Sequence, residues 1–168
     1  MATKTAPTVF LVDDESIQNE MLKDYLAERF NYNFHLFDNG EEALSNLNQN
    51  PAIVILDYHL NAHNPEAKNG VQILADIKDQ NPSTQVIMVS GQDKIQVAVD
   101  SMKYGAYDYI VKGETAFARM ENTIKRINEL EESKFAYDAS KKSIRFLIIA
   151  MACIIALSTI LLFNGHKL

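Results

Sequence analysis

The chain has 168 residues, 47% of them hydrophobic and 23% charged, with a formal net charge of −6 and one cysteine. This length holds one globular domain of about 130 residues and a tail, but no second soluble domain. A single cysteine excludes a disulfide framework and a thiolate metal site, and the acidic balance argues against nucleic acid as a partner.

Short β-branched runs alternate with helical stretches, the pattern of a parallel sheet covered on both faces. After an N-terminal tail over 1–6, the predicted strands are 8–12, 33–37, 53–56, 85–89 and 107–111. The first helix is expected over about 17–30, with Met21, Leu22, Tyr25 and Leu26 inward. Asp38 with Glu41 three residues on reads as the start of the second, before Ala43, Leu44 and Leu47. Pro51 and Pro82 punctuate two returns to the sheet. Ile95, Ala98, Val99 and Met102 fall at i, i+3, i+4 and i+7, a stripe suited to packing on the sheet. The last helix should begin near Glu114, with Phe117, Met120, Ile124 and Ile127 as its apolar face, and beyond Leu130 the pattern dissolves into a linker over 131–144, helical or partly so.

The run FLIIAMACIIALSTILLF, Phe146 to Phe163, carries no charge. As a helix it spans roughly 27 Å, close to the hydrocarbon thickness of a bilayer. Only Ser158 and Thr159 interrupt its apolar surface, and both can bond their own helix carbonyls. A transmembrane helix over 145–163 with a short tail over 164–168 is therefore expected. Residues 1–132 carry 11 basic and 21 acidic side chains, whereas residues 133–168 carry 5 and 1. Lys134, Lys141, Lys142 and Arg145 precede the run and Lys167 follows it, which places the N-terminal domain on the cytoplasmic side of a single-pass protein of the inner membrane. These cations are also able to favour an anionic leaflet, although ordinary topogenic charge accounts for them as well. Ala152 and Ala156 are spaced for close helix approach, one route to a homodimer.

In an open α/β sheet the ligand site lies beyond the carboxyl ends of the strands. There the chain places Asp13 and Asp14, Asp57, Ser90 and Lys112, after the first, third, fourth and fifth strands. A lone Asp at such a place commonly caps a helix and a lone Lys is commonly solvated, but five such groups at one edge suggest a site. Three close carboxylates repel one another unless a cation joins them. An oxygen-only donor set suits Mg²⁺, which works beside phosphate. Asp57 then reads as a nucleophile that forms an acyl phosphate, with Lys112 neutralising the transferring oxygens and Ser90 hydrogen-bonding one of them.

The segments VFLVDDES, VILDYHL, IMVSG and DYIVKG resemble the four signature stretches of the two-component response-regulator receiver domain, in order, over about residues 7–130. The resemblance implies an α/β fold, a doubly wound five-stranded parallel sheet of the flavodoxin-like (βα)5 kind. It implies Asp57 as phosphoacceptor, with Asp13, Asp14, Asp57 and the backbone carbonyl of His59 around Mg²⁺ and Asp14 the more direct acidic ligand. Ser90 and Lys112 would contact the phosphoryl group, and Ser90 and Tyr109 would form the switch. The implied partners are a sensor histidine kinase or histidine phosphotransfer protein and an unidentified downstream protein. By the same resemblance the chain assists its own phosphorylation and dephosphorylation and is not a turnover enzyme.

Two features depart from the family pattern. Gly113 stands where the family has proline after the lysine, so the bend there is made differently or with a non-proline cis bond. The stretch 58–69 is longer than the family's loop, and its His59 and His63 lack a third ligand for a transition metal. Gly91 leaves the neighbourhood of Ser90 open. Among other classes, a dehalogenase-type aspartyl hydrolase needs a second Asp two residues after its nucleophile, where this chain has His59. A phosphorylation-independent receiver-fold scaffold at the membrane is the alternative function.

Overall fold

The computed structural model describes residues 6–60, 66–91 and 94–165, with 153–165 described for their helical backbone alone. By internal contacts the chain divides into two units, Met1–Ile124 and Lys125–Leu168.

The first unit is built on five parallel strands, β1 (Thr8–Val12), β2 (Asn33–Phe37), β3 (Ile53–Asp57), β4 (Gln85–Ser90) and β5 (Asp108–Val111), in the order β2-β1-β3-β4-β5. Between them run α1 (Ser16–Ala27), α2 (Gly40–Ser45), α3 (Gly70–Gln80) and α4 (Ile95–Lys103), and α5 (Ala116–Gly165) follows β5. Every residue of β3 is buried, as expected of a central parallel strand covered on both faces. The core joins Phe10, Val54, Leu56, Ile73, Leu74 and Met88. Strand order reverses between β1 and β3, so the crevice at their carboxyl ends is where such a sheet admits a ligand.

The strands and the doubly wound order agree with the sequence expectation, whereas two helix faces and one helix cap do not. In α1 the buried residues are Asn19, Leu22 and Leu26, while Met21 is 58% exposed rather than inward. The phase is set by a polar anchor: the Asn19 carboxamide donates to the carbonyls of Leu11, Asp13 and Phe37, each at 3.3 Å. These carbonyls end β1 and β2, and burying the Asn19 amide without acceptors would be costly.

In α4 the expected stripe is turned outward, with Ile95, Val99 and Met102 at 79%, 53% and 51% exposure. Val97 and Ser101 are buried instead. The Ser101 hydroxyl donates to the Val97 carbonyl at 2.7 Å, so this small side chain hides its polarity inside the helix and lets α4 lie close to the sheet. The second helix is capped by Asn39, not Asp38: the Asn39 side chain accepts from the Glu42 N–H at 2.8 Å.

α5 starts at Ala116, two residues after the expected Glu114, and buries Met120, Ile124 and Ile127. In the second unit it is continuous through the expected linker, and its side chains from Leu130 to Met151 are exposed or half-exposed. Among the described residues no helix is long and apolar enough to cross a membrane. The side chains of the expected span beyond residue 152, including Ala156, Ser158 and Thr159, lie outside the described residues.

Candidate phosphoacceptor site

Strand register assembles the site. Val12 pairs with Leu56, Asp57 with Val89, and Ser90 with Val111. Asp13, Asp57 and Lys112 therefore emerge at one level, at or just past the strand ends. Backbone bonds hold that level: the Asp13 N–H donates to Phe37 O at 3.1 Å, that of Tyr58 to Val89 O at 2.8 Å, and that of Lys112 to Ser90 O at 2.8 Å.

Asp57 is only 3% exposed. Its Oδ2 accepts from the His59 N–H at 2.6 Å. Its Oδ1 lies 2.9 Å from Lys112 Nζ, yet it is buried with no well-directed hydrogen bond. The contact at Oδ1 is thus a charge pairing that leaves a lone pair unused. Lys112 Nζ directs its hydrogen bond to Asp13 Oδ2 at 2.8 Å. Asp13 Oδ1 in turn accepts from the Glu15 N–H at 2.9 Å, turning the chain into α1.

One carboxylate oxygen from each of Asp13, Asp14 and Asp57 falls within 4.8 Å of the others. Burial pushes the Asp57 carboxyl above its ordinary range, against Lys112 and the His59 N–H, while the charge of Asp13 adds to the rise. For Lys112 burial acts to lower the pKa, but the neighbouring carboxylates of Asp13 and Asp57 together outweigh it and the ammonium is raised. One ammonium thus pairs with two of the three clustered carboxylates.

A divalent cation fits this arrangement. The donors are hard oxygens, they are mutually close, and one of them is a buried oxygen with no hydrogen bond. A cavity of about 120 Å³ borders Asp13, Asp57 and Lys112 and is walled by Leu22, Ile55, Val89 and Met120. It has room for water.

Ser90 is fully buried at the end of β4. Tyr109 is half-buried in β5 and packs against the core. His59 stands edge-on to Tyr58 with ring centroids 4.7 Å apart. His63 lies outside the described residues, as does the middle of the 58–69 stretch. No cis peptide occurs among the described residues, so the chain passes Gly113 in the trans form.

Sequence reasoning missed two supports of the site. Asn19 is the first, through the carbonyl anchors of α1. Gly70 is the second: a Cβ there would come within 2.3 Å of the Asp57 carbonyl oxygen and 2.7 Å of Tyr58 Cα. Its N–H donates to Tyr58 O at 2.9 Å. α3 therefore starts against the backbone that carries Asp57. The start itself was readable, because Asn69 and Gln72 form a reciprocal capping box.

Comparison with known proteins agrees with this geometry. The family model described as the response regulator receiver domain matches residues 9–125. The chain is 34% identical over 105 residues to the transcriptional regulatory protein CssR of Bacillus subtilis, a match covering 62% of this chain and 44% of that protein. It is 25% identical over 145 residues to the regulatory protein AtoC of Escherichia coli, covering 86% and 28%. The chain thus spans less than half the length of these curated relatives. Among solved structures, the receiver domain of NtrX from Brucella abortus superposes with a TM-score of 0.64 at 29% identity, covering 72% of this chain and 98% of that one.

Proposed function

Because this chain belongs to the response regulator receiver domain family, we propose that it takes a phosphoryl group from a phosphohistidine onto Asp57 at a membrane surface. The observation that carries the reading is the state of Asp57: buried, held through Oδ2, and left with an Oδ1 that has a cation beside it but no hydrogen bond.

In the transfer, an Asp57 carboxylate oxygen attacks phosphorus as the P–N bond to the histidine breaks. The imidazole leaves with the bonding pair and takes up a proton, and the new P–O bond makes an acyl phosphate. Mg²⁺ held by Asp13, Asp14, Asp57 and the His59 carbonyl would supply charge neutralisation for the phosphoryl oxygens. Lys112 needs only a small displacement from Asp13 to follow a phosphoryl oxygen, and the Ser90 hydroxyl is the hydrogen-bond donor from β4. Charge gained at the strand ends is read out through Ser90 and Tyr109 as a change of surface that a downstream protein recognises. Slow hydrolysis at the same site resets the switch, so the chain is a phosphoacceptor that assists both steps.

The direct test is transfer from a phosphorylated histidine phosphotransfer domain to the full chain. Lys112→Ala should slow that transfer about 100-fold, the scale for removing one charge-stabilising donor. A rate within a factor of about two of wild type would remove Lys112 from the role given to it.

Membrane attachment through 145–163 is supported by the length and lack of charge of the Phe146 to Phe163 run and by the basic residues before it. It places the receiver domain on the cytoplasmic face of the inner membrane. The full chain is expected to sediment with membranes and to stay there after a high-salt wash, while a chain ending at Leu130 is expected in the supernatant. Release of the full chain by salt would refute a spanning anchor.

A further inference from the structure

We infer that residues 130–151 pair with the same segment of a second copy of this chain as a parallel two-stranded coiled coil. The parallel sense rests on the membrane anchoring proposed above, whereas the pairing itself rests on the helix surface.

In the second unit α5 is an unbroken helix, and Leu130, Tyr137, Ile144 and Met151 recur on it every seven residues. They are 43%, 65%, 56% and 63% exposed. A seven-residue apolar period is the seam that two helices bury by supercoiling. The companion core positions, three residues on, are Ser133, Ser140 and Leu147, all exposed. Two small serines there allow close approach of the helix axes but bury little apolar area. The pairing is accordingly weak by itself and favoured when an anchor concentrates the copies.

Charge selects the partner and its direction. In a parallel pair the residue just before one seam position faces the residue five further along the other helix. Here that sets exposed Glu129 opposite Lys134 of the second copy, an attractive pair formed twice by symmetry. The next such positions set Ala136 opposite Lys141 and Ser143 opposite Ile148, with no like-charge clash. Within its own helix Lys134 bonds Glu131 at 3.0 Å, a surface contact of small worth that pairing can replace. Glu132, Phe135 and Lys142 lie away from the seam. The buried stripe of Met120, Ile124 and Ile127 is a different face and is already covered.

The test is disulfide cross-linking of the full chain in membrane vesicles. Cys153 is replaced by alanine and single cysteines are introduced at exposed positions from 130 to 146. Dimer yield should peak at 130, 133, 137, 140 and 144 and be low at 135, 138 and 142. Uniform or absent cross-linking, or maxima at 135, 139 and 146 on the opposite face, would overturn the pairing. With the cysteine at 137, Glu129→Lys should lower the yield roughly twofold to fivefold, the effect of an exposed ion pair. Adding Lys134→Glu should restore it, and equal yields in all three chains would overturn the parallel register. Sedimentation of the same samples reports separately on anchoring: chain found in the supernatant speaks against the anchor, and its cross-linking pattern still decides the pairing.

Discussion

Asp57→Asn is expected to take up no phosphoryl group and yet to give a more heat-stable domain than wild type when divalent cations are removed. The first effect follows from loss of the buried oxygen nucleophile beside Lys112. An amide lacks the charge needed to attack phosphorus. The second follows from burial. Because the folded-state pKa of Asp57 is raised, its contribution to stability is full below the ordinary carboxylate range and is lost as pH rises through the raised value. Above the ordinary carboxylate range the buried carboxyl is therefore a cost in the metal-free fold, added to by Asp13 and offset in part by Lys112. The asparagine removes that cost while Lys112 keeps its bond to Asp13. A rise in melting temperature of roughly 3 °C is expected, corresponding to about 1 kcal/mol for a domain of this size. It should shrink when the comparison is repeated at a pH where Asp57 is protonated. An unchanged or lower melting temperature at neutral pH would mean that Lys112 already offsets the burial.

Gly70→Ala is expected to destabilise the first unit by about 3 kcal/mol, the upper range for forcing an atom into a packed interior. The obstacle is backbone, at 2.3 Å from the Asp57 carbonyl oxygen and 2.7 Å from Tyr58 Cα, so no side-chain rotation relieves it. Either α3 moves away from β3 or the strand end shifts, and in both cases the His59 N–H loses its place on Asp57 Oδ2. Urea unfolding should show the loss as a lower midpoint at unchanged slope. Gly91 and Gly113 are internal controls. A Cβ at either meets nothing within 4 Å, and their alanine variants should stay within about 0.5 kcal/mol of wild type. Equal stability of Gly70→Ala and these controls would refute the close packing of α3 on the nucleophile strand.

The sheet was legible because its signals are local. β-branched runs ended in Asp, Ser or Lys, and punctuation between them fixed five strands whose register then brought the polar ends together. Each site residue is attached directly to a strand end, so finding the strands found Asp13, Asp57, Ser90 and Lys112. The helix faces were less legible, since periodicity shows that a stripe exists without saying where it points. In α4 the buried Ser101 satisfies its hydroxyl within the helix while the apolar stripe faces out. In α1 a buried amide bound to three carbonyls fixes the phase and leaves Met21 outside. Gly70 was invisible for a similar reason: its constraint is set by Asp57 and Tyr58, which only the folded chain brings near it.

The most direct test of the phosphoacceptor account is the intact mass of the wild-type chain after incubation with a small acyl phosphate donor, with and without Mg²⁺. The account predicts a gain of one phosphoryl group that requires Mg²⁺ and maps to Asp57. A folded chain whose mass stays unchanged in Mg²⁺, or one that is modified equally in its absence, would contradict it.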